Sequence, residues 1–445
     1  MTDIMTLHEA PNWQLYRLGQ LFDERKEKVS DKDYPPLSVT MNGIVPQLET
    51  AAKSDDGDNR KLVKVGDYVI NSRSDRKGSG GISSHDGSVS LISIVIKPKG
   101  VHPRFAHHLL RSTAFQEEFY RWGHGIVADL WTTRYPDMKN IRLYLPDLDT
   151  QKAIADFLDR ETARIDQLIE KKQRFLTVLD QKWAATVTST VTNGLGSDVR
   201  LKDSDLSSVG KVPEHWTVAR LGHIGRCANG INIGGDAFGS GTPFVSYGDV
   251  YKNAELPTEV SGLVQATSED RSRYSVKKGD VFFTRTSETV EEIGFSSVCT
   301  QDMEDAVFAG FLIRFRPFKK KLVPQFSKYL FRNQALRSFF SKEMMIVTRA
   351  SLSQGLLQKL PVLLPPLKEQ EEIASYLHHV EAKHLSISDK TQESINGLKE
   401  FRSALITAAV TGQIDVTSWG KQGQTDRRLD QIEEDMALRE ARACQ

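Results

Sequence analysis

Apolar and polar positions follow two regimes along this chain, and the pair of regimes occurs twice. Up to Pro146, hydrophobic residues come in short β-branched and aromatic runs. Tyr68-Val-Ile70 and Val89 to Ile96 are bounded by Gly, Pro, Asp and Ser and predict strands. Pro103 to Trp122 predicts a helix starting just after a strand end. From Pro146 to Gly194 there is neither proline nor glycine. Ile154, Leu158, Ile165, Leu168, Phe175 and Leu179 recur there mostly at steps of 3, 4 or 7, which predicts a long helix with a coiled-coil seam. The second cycle has strand-like Val281-Phe-Phe283 and Phe311 to Phe315 and helical Pro324 to Phe340. After Pro366 comes a second seam of Ile373, Leu377, Val380, Ile387, Leu398, Phe401 and Leu405. Each long helix would extend about 60 Å. Glu161, Lys172, His384 and Thr391 interrupt the seams, so the two helices are expected to pack on each other, antiparallel, with the globular parts at opposite ends of a rod. The competing reading folds each helix back on its own domain.

The two cycles are copies. Leu148 to Ile154 matches Leu367 to Ile373, and Val187 to Thr192 matches Ile406 to Thr411, both at an offset of 219. Upstream, Lys64-Val-Gly-Asp67 matches Lys277-Lys-Gly-Asp280 at 213, and Trp13 to Gly19 matches Trp216 to Gly222 at 203. The landmarks keep their order, and the shrinking offset places length differences in loops. A unit of some 200 residues used twice is a duplicated domain rather than a solenoid. The expected organisation is a mixed domain at 1–147, a long helix at 148–194, a linker at 195–214, a second mixed domain at 215–366, a second helix at 367–413 and a tail at 414–445. The fold class is α+β: two mixed globular domains and a pair of long antiparallel coiled-coil helices related by an internal pseudo-twofold repeat. In the tail, Leu429, Ile432, Met436 and Leu438 outline a short charged helix that either docks on a partner or frays.

Composition narrows the class further. With 39% hydrophobic and 26% charged residues the chain is an ordinary globular one. No apolar run approaches a membrane span, and the N-terminus lacks a signal-peptide pattern. Cys227, Cys299 and Cys444 stand far apart, without metal spacing, as suits a reducing cytoplasmic setting. The net charge of +1 hides a basic stretch at 206–365, with 20 Lys and Arg against 15 Asp and Glu, which permits a polyanionic partner. Enzyme motifs are missing: no phosphate-binding glycine loop, no Asn/Asp-Pro-Pro-aromatic methyltransferase tetrapeptide and no metal-binding His/Cys pair. Adjacent pairs His107-His108 and His378-His379 read as ordinary surface or edge histidines. Asp137-Met-Lys139 only faintly echoes a nuclease site, and its counterpart, Gly355-Leu-Leu-Gln358, lacks the acid.

Certain residues carry a family resemblance. Leu364-Pro-Pro-Leu-Lys-Glu-Gln370 and Leu145-Pro-Asp-Leu-Asp-Thr-Gln151 lead into the helices, which begin Ile373-Ala-Ser-Tyr-Leu377 and Ile154-Ala-Asp-Phe-Leu158. Gly-Asp-strand-Ser/Thr-Arg-Ser/Thr patterns span 66–74 and 279–286, and the helices end Val191-Thr-Asn-Gly194 and Val410-Thr-Gly412. Over roughly residues 12–413 this resembles the specificity subunit of type I restriction-modification enzymes. Asp149-Thr150, in place of Lys-Glu, and the long tail depart from the pattern. The resemblance implies a subunit without catalytic residues or cofactor of its own. Each mixed domain would read one half of a split double-stranded DNA target, with the helices as spacer. Two modification subunits would carry S-adenosylmethionine and methylate adenine, and restriction subunits would bring ATP and Mg²⁺. A structural scaffold bridging proteins through its coiled coil is the alternative. Arginine and lysine suit guanine edges and phosphates. The candidate DNA-binding residues are Arg73, Arg76, Lys77 and Arg134 in the first domain and Tyr247, Lys252, Arg285 and Arg349 in the second. Arg285 is expected at the place of Arg73. Lys319-Lys-Lys321 reads as a solvated strand end.

Overall fold

A computed structural model describes residues 12–47, 57–125, 131–196, 198–206, 209–286, 293–344 and 351–416, with 431, 432, 434 and 438 of the tail. The first and last strands of each mixed part pair with one another. Gln14–Arg17 runs antiparallel to Arg142–Leu145, and Thr217–Arg220 runs antiparallel to Pro361–Leu364. Each part thus closes on itself before its long helix starts. Inside that clasp lies a four-stranded antiparallel sheet of the same order in both copies. In the first it runs Phe22–Glu24, Ser93–Pro98, Tyr68–Asn71, Gly80–Ile82. In the second it runs Gly225–Asn229, Leu312–Pro317, Val281–Thr284, Ser296–Val298. The central strands are buried along almost their whole length, which is why they read as continuous apolar runs.

The copies part company in what is inserted between these strands. The first carries a three-stranded sheet (Lys28–Val29, Arg60–Val63, Gly87–Val89) and the hairpin Leu37–Thr40/Gly43–Pro46. A small core of Leu37, Ile44, Val63, Val69, Val89 and Val95 supports them. The second carries Phe238–Val245 paired with Leu263–Val264 and Val307–Phe308, plus helices Tyr247–Lys252 and Ser268–Arg273. Its larger core includes Phe244, Phe282 and Phe308.

Two motifs shared by the copies are structural. Gly66 (φ +89°) and Gly279 (φ +91°) take a left-handed turn that side chains avoid, and the next residue, Asp67 or Asp280, is buried. Its carboxylate accepts from Lys64 N or Lys277 N at 2.8 Å and from a guanidinium. Arg25 donates to Asp67 (2.6 and 3.1 Å); Arg316 donates to Asp280 (2.6 Å twice). The two arginines come from different strands. By sheet register Arg25 corresponds to Ala228, and Arg316 corresponds to Lys97. The second motif is the glutamine at each helix entry. Gln151 accepts from His102 N (2.8 Å) and donates to Pro146 O (2.9 Å). Gln370 accepts from Val323 N (2.9 Å) and donates to Pro365 O (2.9 Å). Each fastens the long helix to the start of a proline-led helix, Pro103–Arg111 or Pro324–Arg332.

The long helices span Leu148–Asn193 and Leu367–Val410. The chain forms two compact units, 1–175 with 391–445 and 176–390, and each unit holds part of both helices. In the first unit Ile154, Leu158, Ile165 and Leu168 share one core with Leu398, Leu405, Ile406, Ala409 and Val410, together with Phe105, Phe115 and Phe119 of the mixed domain. Arg402 grips Asp166 with two hydrogen bonds of 2.9 and 3.0 Å. In the second unit Val191, Ile373, Ala374 and Leu377 join the core of Trp216, Phe283 and Phe315. There the segments run antiparallel. A Cβ at Gly194 would lie 2.9 Å from Glu369 Oε1, while Asp180 meets His384 at 2.9 Å. Helix packing on helix and helix packing on its own domain therefore both occur, within one core per unit. The seam interruptions Glu161, Lys172 and Thr391 are buried, and His384 stacks on Trp183 with ring centroids 5.7 Å apart.

Several elements differ from the periodicity. The run Val89 to Ile96 is not one strand: it breaks at a turn of residues 90–93, and its counterpart starts at Leu312, leaving Phe311 outside. The helix expected over Pro103 to Trp122 breaks at Ser112, whose hydroxyl accepts from Phe115 N and caps a new helix, Thr113–Arg121. Pro324 to Phe340 breaks likewise at Asn333, which caps through Ala335 N. His108 is a buried residue and His107 a half-buried one. They lie against the first core, with His108 Nε2 2.7 Å from Asp159 Oδ1 and Ile82 N donating to His107 Nδ1. The helix carrying them turns that face inward because Phe105, Leu109 and Leu110 do. In the tail, Ile432 rests partly buried against the first core and Leu438 is exposed; Leu429 and Met436 lie outside the described residues.

Candidate nucleic-acid interface

In the first domain the end of a central strand delivers the candidate residues. Tyr68–Asn71 runs out into a short turn, Ser74–Arg76, led by Arg73 in an extended conformation. Across from it lies the segment 131–134. Thr133 N donates to Ser72 O (3.0 Å), Arg73 bridges Thr132, and Ser74 N donates to Trp131 O (3.1 Å). Trp131 is anchored through Nε1 to Tyr120 O (2.7 Å). A Cβ on Gly123 would lie 2.3 Å from that nitrogen, so the loop tolerates only glycine there. The backbone ladder brings Arg73, Arg76, Lys77 and Arg134 onto neighbouring strips. All four side chains are exposed. Lys77 pairs with Glu117 (2.5 Å) and lies over the Tyr120 ring; Arg76 pairs loosely with Asp75 (3.7 Å). Exposed pairs of this sort are weak and can be traded for phosphate.

The second domain repeats the ladder with other residues. Leu352 N donates to Arg285 O (2.8 Å) and Thr286 bridges Ser351. Register settles the correspondence: Asn71 faces Ser93 as Thr284 faces Leu312. Arg285 therefore occupies the place of buried Ser72, and Thr286 that of Arg73. The expected Arg73–Arg285 equivalence is off by one residue, and along a strand one step reverses the face. The arginine is a separate feature of each copy. Tyr247 opens a six-residue helix capped by Ser246 and Asp249, and its hydroxyl donates to Thr286 O (2.9 Å), which brings it beside Arg285. Tyr251 stacks on it with ring centroids 5.8 Å apart. Lys252, exposed at the far end of the same helix, is not drawn into this cluster by any described contact. Arg349 lies outside the described residues. Lys319, Lys320 and Lys321 are exposed just past the strand Leu312–Pro317.

Sequence reasoning missed the residue that holds the Tyr247 helix. Arg332 donates to the carbonyls of Val250 (3.1 Å), Tyr251 (3.2 Å), Asn253 (2.8 Å) and Ser296 (2.7 Å), closing the helix's C-terminal end. A single arginine late in an amphipathic helix gives no sign of that role.

The described residues offer little for covalent chemistry. Burial pushes the Cys227 and Cys299 thiols up to about 12, far from a working thiolate. Asp137 lies 3.5 Å from His124, and among the described residues no cluster of His, Cys, Asp and Glu could hold a metal ion. No described helix is long and apolar enough to cross a membrane.

Comparison with known proteins covers most of the chain. The sequence profile of the type I restriction modification DNA specificity domain matches it twice, over residues 11–177 and 213–397. The StySPI specificity subunit of a type I restriction enzyme from Salmonella potsdam is 21% identical over 357 residues, 78% of this chain and 74% of the relative. The EcoKI specificity subunit of Escherichia coli (strain K12) is 21% identical over 362 residues, 78% of this chain and 75% of the relative. Among solved structures, a chain of a type I R-M system studied for complex assembly and conformational transition shares the fold with a TM-score of 0.68 at 18% identity. The match covers 91% of this chain and 99% of the other.

Proposed function

The chain belongs to the type I restriction modification DNA specificity family, and on that premise we propose how its two repeats work. Its function is DNA sequence specificity in a type I restriction-modification system, with no catalytic site or cofactor of its own. Each mixed domain reads one half of a bipartite double-stranded target. The domain ends at 147 and 366, and the paired helices 148–194 and 367–413 fix the number of base pairs between the halves. Two readers held at a set separation gain affinity through effective concentration only on DNA with the matching gap.

Two modification subunits dock on this chain and bring S-adenosylmethionine to methylate adenine. Restriction subunits bring ATP and Mg²⁺. The assembly acts in the cytoplasm, where the DNA lies. In the first domain Arg73, Arg76, Lys77 and Arg134 contact DNA; in the second Tyr247, Lys252, Arg285 and Arg349 do. The observation that carries this reading is the contrast between one repeated frame and two unlike sets of inserts over the same face of its sheet. A duplicated protein that read the same half-site twice would have no use for the difference.

The test is methylation mapping of a host genome with and without this chain, expressed with its modification subunits. A split motif that is methylated only when the chain is present is the expected result. Absence of any sequence-dependent methylation overturns the reading. Each phosphate neutralised by the protein adds about 0.9 to the slope of log affinity against log salt, so binding that fails to fall steeply with salt would point to a protein-bridging scaffold.

A further inference from the structure

Both repeats put large apolar side chains where water would normally sit. Ser93 N donates to Ser90 O (2.9 Å) and Leu312 N donates to Ala309 O (3.0 Å). These close the same β-turn, 219 residues apart, at the head of the same central strand. The middle of the first turn is Leu91-Ile92 and of the second Gly310-Phe311. Leu91 is 41% exposed, Ile92 39% and Phe311 63%. Turn centres ordinarily take Gly, Asn, Asp, Ser or Pro. Gly310 lies against Ile231 and Asn232, but Phe311 stays mostly exposed and Leu91 and Ile92 partly so, which leaves apolar surface to water at both turns.

Hydrogen-bonded turns hold both tips at the head of a strand. Each leads straight into a strand with four successive buried residues, Ser93 to Ile96 and Leu312 to Phe315. Arg285 N donates to Phe311 O (3.1 Å) and its guanidinium reaches Gly310 O (3.5 Å). In the first copy Ser93 pairs with Asn71, two residues before Arg73. The apolar tip therefore flanks the candidate cationic readers in both domains. Two or three side chains are too little area for a stable protein interface. DNA offers apolar surface in two forms: the thymine methyl, and the base faces exposed when a step is opened.

We infer that turns 90–93 and 309–312 are wedges that enter the base stack, one in each half of the DNA target. Phe311 stacks on a base of the second half, and Leu91 with Ile92 opens a step of the first. This rests on the specificity reading given above and adds to it the side chains that deform the DNA.

The experiment uses the complete complex with its modification subunits. Duplexes carry 2-aminopurine at successive positions of each half of the mapped target. For the second half, the wild-type complex should raise the fluorescence at one position. Phe311→Ala should abolish that rise and weaken binding about tenfold or more, while Phe311→Trp keeps both. Leu91→Ala/Ile92→Ala should do the same for the first half only. Phe311 is exposed, so an unchanged melting curve separates a missing base stack from a damaged fold. Wild-type methylation with Phe311→Ala matching it in affinity and fluorescence overturns the wedge alone. A wild-type complex that methylates no sequence overturns the wedge together with the specificity reading.

Discussion

The two repeats differ least in the frame they share and most in what is inserted into it. The clasp of first and last strands, the four-stranded sheet, the aspartate turn and the glutamine at the helix entry occur in both, with matching hydrogen bonds. Among the described residues the inserts correspond in one strand only: Gly87–Val89 lies parallel to Pro36 and antiparallel to Leu62, as Val307–Phe308 lies parallel to Phe244 and antiparallel to Ser275. One is a β-layer on a core of six side chains; the other has two short helices over a core built around three phenylalanines. Packing tolerates change poorly and loops tolerate it well, so a duplicated protein diverges in its inserts while its frame stays put. Recognition placed on those inserts can change without a new fold.

The largest effect should come from the shared frame. Asp280→Ala leaves the Arg316 guanidinium and Lys277 N without their acceptor and should cost about 3 kcal/mol. Unfolding in urea reads this, and the comparison is sharpened if the second unit melts first while the first keeps its midpoint. Gln370→Ala removes the acceptor of half-buried Val323 N and should cost about 1 kcal/mol, with Gln151→Ala costing the same. Unequal costs in the two copies would break the equivalence. Next come the readers. Arg285→Ala should weaken binding about tenfold at the second half of the target and leave the first half unchanged, as competition with half-site variants would measure. Arg73→Ala should do the reverse, and an effect of either on both halves would contradict the division of labour.

The smallest effect depends on pH and belongs to one repeat. Burial holds the His107 imidazole down at about 3, and burial also lowers His108 despite its bond to Asp159. Their places in the second copy hold Lys328 and Tyr329, both bonded to Glu381. A histidine that resists protonation when folded gives its full stabilisation above its ordinary value of 6.5. That stabilisation is lost as pH falls from there towards 3. Going from pH 7.5 to 5.5 should therefore destabilise the first unit by roughly 1 kcal/mol. His107→Gln should flatten that dependence, and the second unit should show none from this position.

Much of the fold was legible in the sequence because duplication exposes it. The seams at Leu158 and Leu377, the Gly-Asp turns and the long proline-free stretches all carry backbone-level signals. What escaped was decided by tertiary context. Val89 to Ile96 has strand chemistry throughout, yet the sheet needs a corner at 90–93, and periodicity cannot see a corner made of apolar residues. The Arg73–Arg285 slip came from aligning like residues: the offset of 213 at the Gly-Asp turns already puts Arg285 on Ser72, and the partners Ser93 and Leu312 agree. His107 and His108 read as surface because a polar residue on an apolar helix face gives no warning that Asp159 waits opposite. Arg332 acts through four carbonyls, and carbonyls have no letter in a sequence.

The aspartate turn also says something about heredity. In the first repeat its cation arrives from residue 25 and the partner strand offers Lys97; in the second it arrives from residue 316 and the other strand offers Ala228. A recombination event joining part of one repeat to part of the other would produce hybrids with two arginines crowding one carboxylate, or with no arginine and only Lys97's position to substitute. Exchange of an entire repeat leaves every such couple together. Natural chimeras of this protein should have their crossovers at the long helices, not inside the readers.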